Sequence, residues 1–370
     1  MELTRGTIRR AARSSVDGID PMLLTLALML TALGIATLYS VSHESPARVA
    51  SQLRHLAVAL AAMWLVARLP VQLLMRSALP VYLAGMLLLV GVALFGDVVN
   101  GARRWLSVGS VRFQPSEMMK IAVPLMLAWY FHRNEGNLRR RAFVVAGLLV
   151  VVPALLIARQ PDLGTALLVA AAGFYVIFFA GLSWKAMGAL AAIALVSLPP
   201  IWSLLHDYQR RRILTLLDPT QDPLGAGYHI IQSTIAIGSG GLSGKGWLNG
   251  TQAHLEFIPE RHTDFIFAVY SEEFGFIGNC VLLVLYALLI ARGLAIAAQG
   301  ATLFARLLGG AISLIFFTYA FVNMGMVSGV LPVVGVPLPF LSYGGTALLT
   351  LFIAIGLLMS MQKHRRLIRS

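Results

Sequence analysis

Ionisable residues crowd the point at which the longest polar segment of this apolar chain runs into a new apolar stretch. Glu260, Arg261, His262 and Asp264 lie together there, and Phe265 begins the apolar run. Ionisable groups at or below a membrane surface cost free energy, so their presence favours a functional site. A patch of ion-paired or snorkelling groups is the alternative interpretation. Asp264 is our first candidate for a catalytic residue, because a carboxylate can act as a general base.

The same segment also permits a metal site. Glu260, His262 and Asp264 alternate along the chain, so in an extended segment their side chains would point the same way. Such a set would suit a hard divalent cation, Mg²⁺ or Mn²⁺. We expect no other cofactor, and the absence of an HExxH or CxxC pair argues against a zinc site.

A second polar group begins the fourth apolar stretch. Ser116 is placed to cap a helix, Glu117 lies in the first turn, and Lys120 shares a helix face with Glu117. One interpretation is a local ion pair. The other is a polar cavity between helices in which Lys120 reaches a phosphate, and a kink at Pro124 would open that cavity.

Composition places these groups in a membrane protein. Of the 370 residues, 58% are hydrophobic and 12% are charged, whereas a soluble domain carries about 25% charged residues. Long apolar runs recur along the chain, which indicates an all-α polytopic membrane protein with a single domain over residues 1–370. The net charge of +13 does not indicate nucleic-acid binding, because the basic residues lie in short loops between apolar runs.

About ten membrane spans of about 20 residues each are predicted. They are 21–41, 49–67, 79–95, 116–131, 143–157, 163–180, 184–205, 265–291, 306–328 and 342–361. An even number places both termini on one side, which the arginine distribution predicts to be cytoplasmic. The basic N-terminal segment precedes an apolar run too long for a cleaved signal peptide, so we expect an uncleaved anchor.

The connection between spans seven and eight, 206–263, is far longer than the others and is predicted to lie outside the cytoplasm. Loops of this length are usually functional. Basic residues on the predicted outer side, against the usual bias, are Arg103, Arg104, Arg112, Arg210, Arg211, Arg212, Lys245 and Arg261. They favour an anionic ligand such as a phosphate-bearing lipid, and contact with ordinary anionic headgroups is the alternative.

A glycine-rich run in this long loop, 238–246, is similar to a phosphate-binding loop but fails in detail. Ser239 stands where the first glycine is required, and Lys245 is followed by Gly246 rather than by Ser or Thr. We therefore exclude nucleotide binding. We expect the glycines to let backbones pack closely or to reshape around a substrate, and a short apolar helix to precede them over 228–237.

Several dispersed motifs together resemble those of the SEDS family. They are 101–106, 113–117 with Lys120, 160–165, 218–219 with 225–232, 259–267 and 332–345. The resemblance covers nearly the whole chain and is closer to the elongation member of the family than to the division member. It implies a ten-helix fold and a peptidoglycan glycosyltransferase that polymerises lipid II outside the bacterial cytoplasmic (inner) membrane. It also implies a class B penicillin-binding transpeptidase and other elongation-complex membrane proteins as partners.

The resemblance also implies roles for individual residues. The essential aspartate of the family falls on Asp264, and its polar cavity residues fall on Arg104, Gln114, Glu117 and Lys120. To these expected substrate-binding residues we add Gln160 and Asp162, from a polar corner before the sixth span, and Lys245 and Arg261, from the long loop.

The chemistry of the residues agrees with that implication. Joining two lipid-linked sugars requires a base for the attacking hydroxyl and cations that stabilise the leaving pyrophosphate. A single carboxylate suits direct displacement with inversion, unlike the paired carboxylates of most glycosidases. Two other functions stay open, a transporter that flips lipid II and a non-catalytic scaffold of the wall-building complex. Neither needs Asp264 as a base, and a transporter would be expected to show an internal repeat, which the spans lack.

Overall fold

The computed structural model describes residues 18–42, 45–99, 102–108, 111–136, 139–204, 207–222, 225–255, 257–258 and 260–369. The basic N-terminal segment, and Gly101, His206 and Pro259 of the predicted motifs and long loop, lie outside the described residues. The described part of the chain is mainly helical.

The helices follow the apolar runs of the sequence. They are α1 (Pro21–Val41), α2 (Pro46–Arg68), α3 (Val71–Phe95), α4 (Pro115–Arg133), α5 (Arg140–Ala158), α6 (Leu163–Phe179), α7 (Trp184–Leu204), α8 (Asp207–Leu217), α9 (Ala226–Ser239), α10 (Thr251–His254), α11 (Ile266–Ala298), α12 (Leu303–Val327) and α13 (Gly345–Arg369). Proline at the first position begins α1, α2 and α4, because its fixed φ suits a helix start.

Each predicted span coincides with one helix, and the largest differences lie at the start of α3 and at the ends of α11 and α13. Among the described residues, seven helices are long and apolar enough to cross a membrane: α1, α2, α3, α5, α11, α12 and α13. Two shorter apolar helices are α6 and α7. The remaining predicted span, α4, holds Glu117 and Lys120 in its first two turns. The chain is a multi-pass helical membrane protein, and the count of ten spans stays a prediction.

The third span begins earlier than predicted. Arg76 and Ser77 placed its start at Leu79, but α3 begins at Val71, directly after Pro70, which has an extended backbone. Polar side chains are accommodated in the end turns of a membrane helix because they can reach the interface. A prediction from hydropathy alone therefore made this helix too short.

The centre of the bundle is α12. It packs against α4, α6, α11 and α13, and 78% of its most apolar stretch is buried. By contrast, α7 lies at the periphery, with Trp184 79% and Val196 77% exposed. An apolar surface of this kind is expected where side chains face lipid.

The connection between α3 and α4 was predicted as a loop and is a three-stranded antiparallel sheet. Its strands are β1 (Asp97–Val99), β2 (Ala102–Val108) and β3 (Val111–Phe113), in that order. Asp97 pairs with Trp105, and Leu106 with Phe113. Successive side chains of a strand point to opposite faces, so Arg103 and Arg104 diverge, and only Arg104 reaches the start of α6.

The region after α8 agrees in part with the sequence. The short helix expected over 228–237 is α9. Further on, α11 is not continuous. Gly275 has φ 64° and ψ −159°, which divides α11 into a short first segment, 266–274, and a long second segment, 276–298.

Candidate active site

Asp264 lies in a turn directly before α11. The Thr263 and Phe265 amides donate to the Glu260 carbonyl at 3.0 and 3.3 Å, and Glu260 has a left-handed backbone with φ 49°. The segment is therefore not extended, and the alternation assumed for a metal site at Glu260, His262 and Asp264 is wrong. Within the described ranges, no three His, Cys, Asp or Glu residues form a group that could hold a metal ion.

The backbone of Asp264 is held by the central helix. Asn323 of α12 is fully buried, and its Nδ2 donates to the main-chain oxygens of Asp264 at 2.8 Å and of Val336 at 2.7 Å. One amide group therefore connects the turn before α11 with the segment between α12 and α13.

A serine makes a second connection between the same two segments. The Ser342 hydroxyl donates to the Thr263 carbonyl at 2.7 Å and accepts from the Leu338 amide at 2.8 Å. In addition, the Tyr343 amide donates to the His262 carbonyl at 2.9 Å. The proline-containing segment before α13, residues 332–344, thus holds the turn that contains Asp264.

Two glycines allow the α6 start, this segment and Asp264 to meet. Gly335 has φ 74°, and a Cβ there would lie 3.4 Å from Asp264 Oδ2. A Cβ on Gly164, in the first turn of α6, would lie 2.7 Å from the Val334 carbonyl oxygen. The carboxylate of Asp264 therefore lies beside the segment against which α6 begins.

The polar corner before α6 is tied to the sheet and to α4. The Arg104 guanidinium donates to the carbonyls of Gln160, at 3.1 Å from Nε, and of Pro161. Gln114, which precedes α4, donates from Nε2 to Asp162 Oδ2 at 2.9 Å. The other Asp162 oxygen caps α6 by accepting from the Thr165 amide at 3.1 Å.

A buried charge pair lies deeper in α4. The Lys120 ammonium donates to Glu117 Oε1 and to the Tyr319 hydroxyl of α12, the latter at 2.6 Å. Glu117 and Lys120 are only 6% and 5% exposed. Glu117 Oε2 is buried and has no hydrogen-bond partner among the residues that the structure describes. The predicted ion pair is confirmed, and it extends to a second helix.

The charges around Asp264 favour a proton-accepting role. Burial, and after it the carboxylates of Glu260 and Asp162, raise the pKa of Asp264 from 3.8 to about 6. The guanidinium groups of Arg104 and Arg212 lower the pKa and offset part of this shift. A general base works best when its pKa lies near the working pH, so this environment suits Asp264 to that task.

Known proteins resemble the chain along almost its whole length. The family model described as "Cell cycle protein" (FtsW, RodA and SpoVE) matches residues 20–367. The chain is 50% identical to the peptidoglycan glycosyltransferase MrdB of Escherichia coli K12, over 95% of both chains. It is 33% identical to the peptidoglycan glycosyltransferase RodA of Treponema pallidum, over 95% of this chain and 99% of that one.

The chain belongs to the SEDS family. Solved structures also resemble this SEDS protein. One, from work on "structural coordination of polymerization and crosslinking by a peptidoglycan synthase complex", has a TM-score of 0.82 and 36% identity, over 94% of this chain and 98% of that chain. RodA of Thermus thermophilus has a TM-score of 0.71 and 31% identity, over 94% of this chain and 97% of that chain.

The structure of this SEDS protein brings most of the predicted site residues into one connected polar region. Its members are Asp264, Arg104, Gln114, Glu117, Lys120, Gln160 and Asp162. The connection runs from Asp264 through the Asp162 carboxylate to Gln114, which precedes α4. From there α4 leads to the buried pair. Arg261 is half-buried in the same turn as Asp264.

Lys245 does not join this polar region. Its ammonium donates to Glu272 Oε1 at 2.6 Å and to Thr251 Oγ1 at 2.7 Å. Those partners lie in α11 and α10. The structure therefore places the predicted substrate-binding lysine in a separate buried cluster.

Sequence reasoning missed two polar residues of α12: Asn323, which binds the backbone of Asp264, and Tyr319, which binds Lys120. A signal for both was present, because a polar side chain inside a membrane span is costly and needs a partner. Arg212 was noted only as one of a basic cluster, and nothing in its neighbourhood along the chain indicated that it would face Asp264.

Proposed function

We propose that this protein polymerises lipid II into glycan strands during cell elongation, with Asp264 as the general base. Its relatives in Escherichia coli and Treponema pallidum are named peptidoglycan glycosyltransferases. At 50% identity over 95% of the chain, it is an enzyme of the same class. The observation that carries the assignment of Asp264 is a partly buried carboxylate, with a pKa of about 6, facing two arginines.

The reaction joins two lipid-linked sugars. Asp264 accepts the proton of the attacking acceptor hydroxyl, whose oxygen forms a bond to the anomeric carbon of the donor. The bond from that carbon to undecaprenyl pyrophosphate breaks, and the pyrophosphate leaves with the electron pair. The positive charges of Arg104 and Arg212 act on Asp264, and we assign these two residues to the pyrophosphate charge. One carboxylate suffices for a single displacement with inversion.

Glu117 and Lys120 have a different task in this scheme. The Lys120 ammonium already binds Glu117 and Tyr319, so we assign the pair to shaping the polar cavity. The unpartnered Glu117 Oε2 is an acceptor for a substrate hydroxyl or amide. Such an acceptor is costly to bury without a donor, and a bound sugar would supply one.

The proposed topology follows from the charge distribution. Both termini are cytoplasmic, and Asp264 faces the outer side of the inner membrane, where lipid II presents its sugars. The polyprenyl chains of the substrates then stay in the bilayer beside the apolar helices.

The polymerising function also predicts a partner. A solved relative comes from a peptidoglycan synthase complex in which polymerization and crosslinking are coordinated. We therefore propose a class B penicillin-binding transpeptidase as a partner of this protein, alongside other elongation-complex membrane proteins. Co-purification and a rise in polymer yield on adding the transpeptidase would support it. A fully active enzyme that ignores the added transpeptidase would contradict it.

Polymer formation by the purified protein separates the enzyme from a transporter or a scaffold. Wild-type protein in detergent should convert lipid II into glycan strands, and Asp264→Asn should lose about 10²–10⁴-fold in rate, as is common when a general base is removed. Glu135→Gln is the matched control, because Glu135 is an exposed carboxylate that pairs only locally with His132. Normal polymerisation by Asp264→Asn would refute the assignment of the base.

A further inference from the structure

The break in α11 separates backbone groups that a continuous helix would pair. In a regular helix, the amides of Phe276 and Ile277 would donate to carbonyls four residues earlier, in Glu272 and Glu273. The non-helical backbone at Gly275 interrupts the helix between them. Buried backbone groups of this kind need other partners.

The glycine loop, residues 238–246, inserts into this break. Two of its carbonyls accept from the two amides after the break, and two of its amides donate to the two carbonyls before it. The pairs are Phe276 to Gly241 (2.9 Å), Ile277 to Leu242 (3.1 Å), Lys245 to Glu272 (3.0 Å) and Gly246 to Glu273 (3.0 Å). The loop thus supplies all four partners that the break requires.

Glycine is needed where the two backbones approach each other. A Cβ on Gly240 would lie 2.1 Å from the Ser271 carbonyl oxygen, and one on Gly244 would lie 2.1 Å from that of Glu273. A Cβ on Gly275 would lie 2.2 Å from the Gly244 nitrogen. The expectation that these glycines permit close backbone packing is confirmed.

An ion pair between the partly exposed Lys245 and the buried Glu272 holds the inserted loop in place. Glu272 is 0% exposed, and its Oε1 accepts from the Lys245 ammonium at 2.6 Å. The same oxygen accepts from the Thr251 hydroxyl at 3.0 Å and from the Gln252 amide at 3.1 Å. One carboxylate therefore binds both the end of the glycine loop and the start of α10.

Helix α1 contacts the first segment of α11 and the residue that follows the glycine loop. The Ser40 hydroxyl donates to Glu273 Oε1, and the Trp247 indole donates to the Ala36 carbonyl at 3.0 Å. The insertion therefore joins α1, the long loop and the first segment of α11, which begins two residues after Asp264.

We propose that Lys245 and Glu272 are positioning residues, which lock the glycine loop into the break of α11 and thereby hold Asp264 in its reactive position. The inference rests on the proposed function, since it assigns these residues to polymerisation. It replaces a substrate-binding role for Lys245, because an ammonium bound to a buried carboxylate is already neutralised there.

A double substitution separates positioning from substrate binding. Lys245→Met should lower kcat about tenfold with little change in KM for lipid II, because the buried Glu272 carboxylate loses its cation. Adding Glu272→Gln removes that charge and should restore kcat to within about threefold of wild type, since removing both members of a buried pair is often nearly neutral. Lys185→Met, at an exposed lysine of α7, is the matched control and should leave kcat unchanged.

Two results would overturn the lock. The first is a double variant no faster than Lys245→Met, and the second is a raised KM with unchanged kcat in Lys245→Met, which would make Lys245 a substrate ligand. If Lys245→Met does not fold, the double variant decides alone, because loss of a substrate ligand could not leave near-normal polymerisation.

Cleavage by proteinase K tests the lock without any activity. The long loop should be cleaved faster in Lys245→Met than in wild type and should regain protection when Glu272→Gln is added. Equal protection in all three proteins would refute the lock. If wild-type protein makes no polymer, the proposed function fails, and the cleavage pattern still decides the positioning role.

Discussion

The side-chain nitrogen of Asn323 lies 2.8 Å from the main-chain oxygen of Asp264. The same nitrogen lies 2.7 Å from the Val336 oxygen. A fully buried amide on the central helix therefore holds the backbone of the turn that carries the candidate base. It also joins that turn to the segment facing the carboxylate.

Asn323→Ala should impair both stability and catalysis. The substitution leaves two buried carbonyls without a donor, which costs about 1–3 kcal/mol of unfolding free energy, and it frees the backbone of Asp264. We expect a lower Tm and a polymerisation rate reduced by more than the loss of folded protein explains. Asn134→Ala is the control, since Asn134 also donates to a backbone carbonyl but lies at the far end of α4. A normal rate in Asn323→Ala would show that this amide does not position Asp264.

The raised pKa of Asp264 predicts an acid limb in the pH–rate profile. With a pKa of about 6, the base is protonated below that pH, so kcat/KM should fall about tenfold for each unit of pH further down. A profile measured from pH 5 to pH 8 with purified protein checks this. A profile that stays flat down to pH 5, as expected for the ordinary aspartate pKa of 3.8, would contradict the burial of this carboxyl.

The same pKa shift should make folding stability fall as pH rises, whereas activity should rise with pH. The folded-state pKa lies above the unfolded value of 3.8, so the folded protein binds the proton more tightly, and the stabilisation by that proton is lost as pH rises from about 4 to 6. At pH 7 Asp264→Asn should therefore be at least as stable as wild type while being inactive. Thermal unfolding checks this, and a clearly lower Tm would indicate a structural role for the carboxylate.

Gly335→Ala should damage the site through a Cβ beside Asp264. Gly335 and Gly329 have similar left-handed backbones, φ 74° and 72°, so alanine at either position costs about 1–2 kcal/mol. Only the Cβ at Gly335 would contact Asp264, whereas that at Gly329 would meet Ile230. We expect similar losses of Tm but a much lower polymerisation rate for Gly335→Ala. Equal rates would show that the contact is without consequence.

Exchanging the buried pair tests its role beyond an ion pair. The double variant Glu117→Lys, Lys120→Glu keeps one positive and one negative charge but places a carboxylate against Tyr319, which now receives a hydrogen bond from Lys120. Polymer yield should fall below a tenth of wild type, since the acceptor proposed for substrate is also lost. A wild-type yield would show that the two residues serve only as a local ion pair and have no role toward substrate.

The side of the membrane can be tested by labelling. On a Cys280→Ser background, which removes the single cysteine, Ser239→Cys should react with an impermeant thiol reagent in intact cells. The basis is the arginine bias of the opposite face. Labelling that appears only after lysis would reverse the proposed orientation.

The sequence predicted the helices well because long apolar runs have few alternatives in a membrane protein. It missed the sheet, since strands of three to seven residues rich in arginine carry no hydropathy signal. The metal hypothesis required 260–264 to be extended, whereas Glu260 has a left-handed backbone that the residue types do not predict.

Hydrogen-bond partners that lie on different helices and loops could not be predicted from the sequence. Lys245 and Glu272 are 27 residues apart, and Lys120 and Tyr319 are 199 apart. A basic residue in a loop therefore looked available for a ligand when its charge was already bound. Asp264 was identified because it stands at a polar–apolar boundary, which is a local feature of the chain.

The insertion into α11 limits where the long loop can change in length. One added residue between Leu242 and Lys245 would shift the two amides that follow past the carbonyls of Glu272 and Glu273, so both of their hydrogen bonds would be lost while those to Gly241 and Leu242 stay in place. An added residue in the exposed turn at 219–221 would disturb none of them. Length variation among proteins that share this insertion should therefore collect on either side of 241–246 and spare the segment itself.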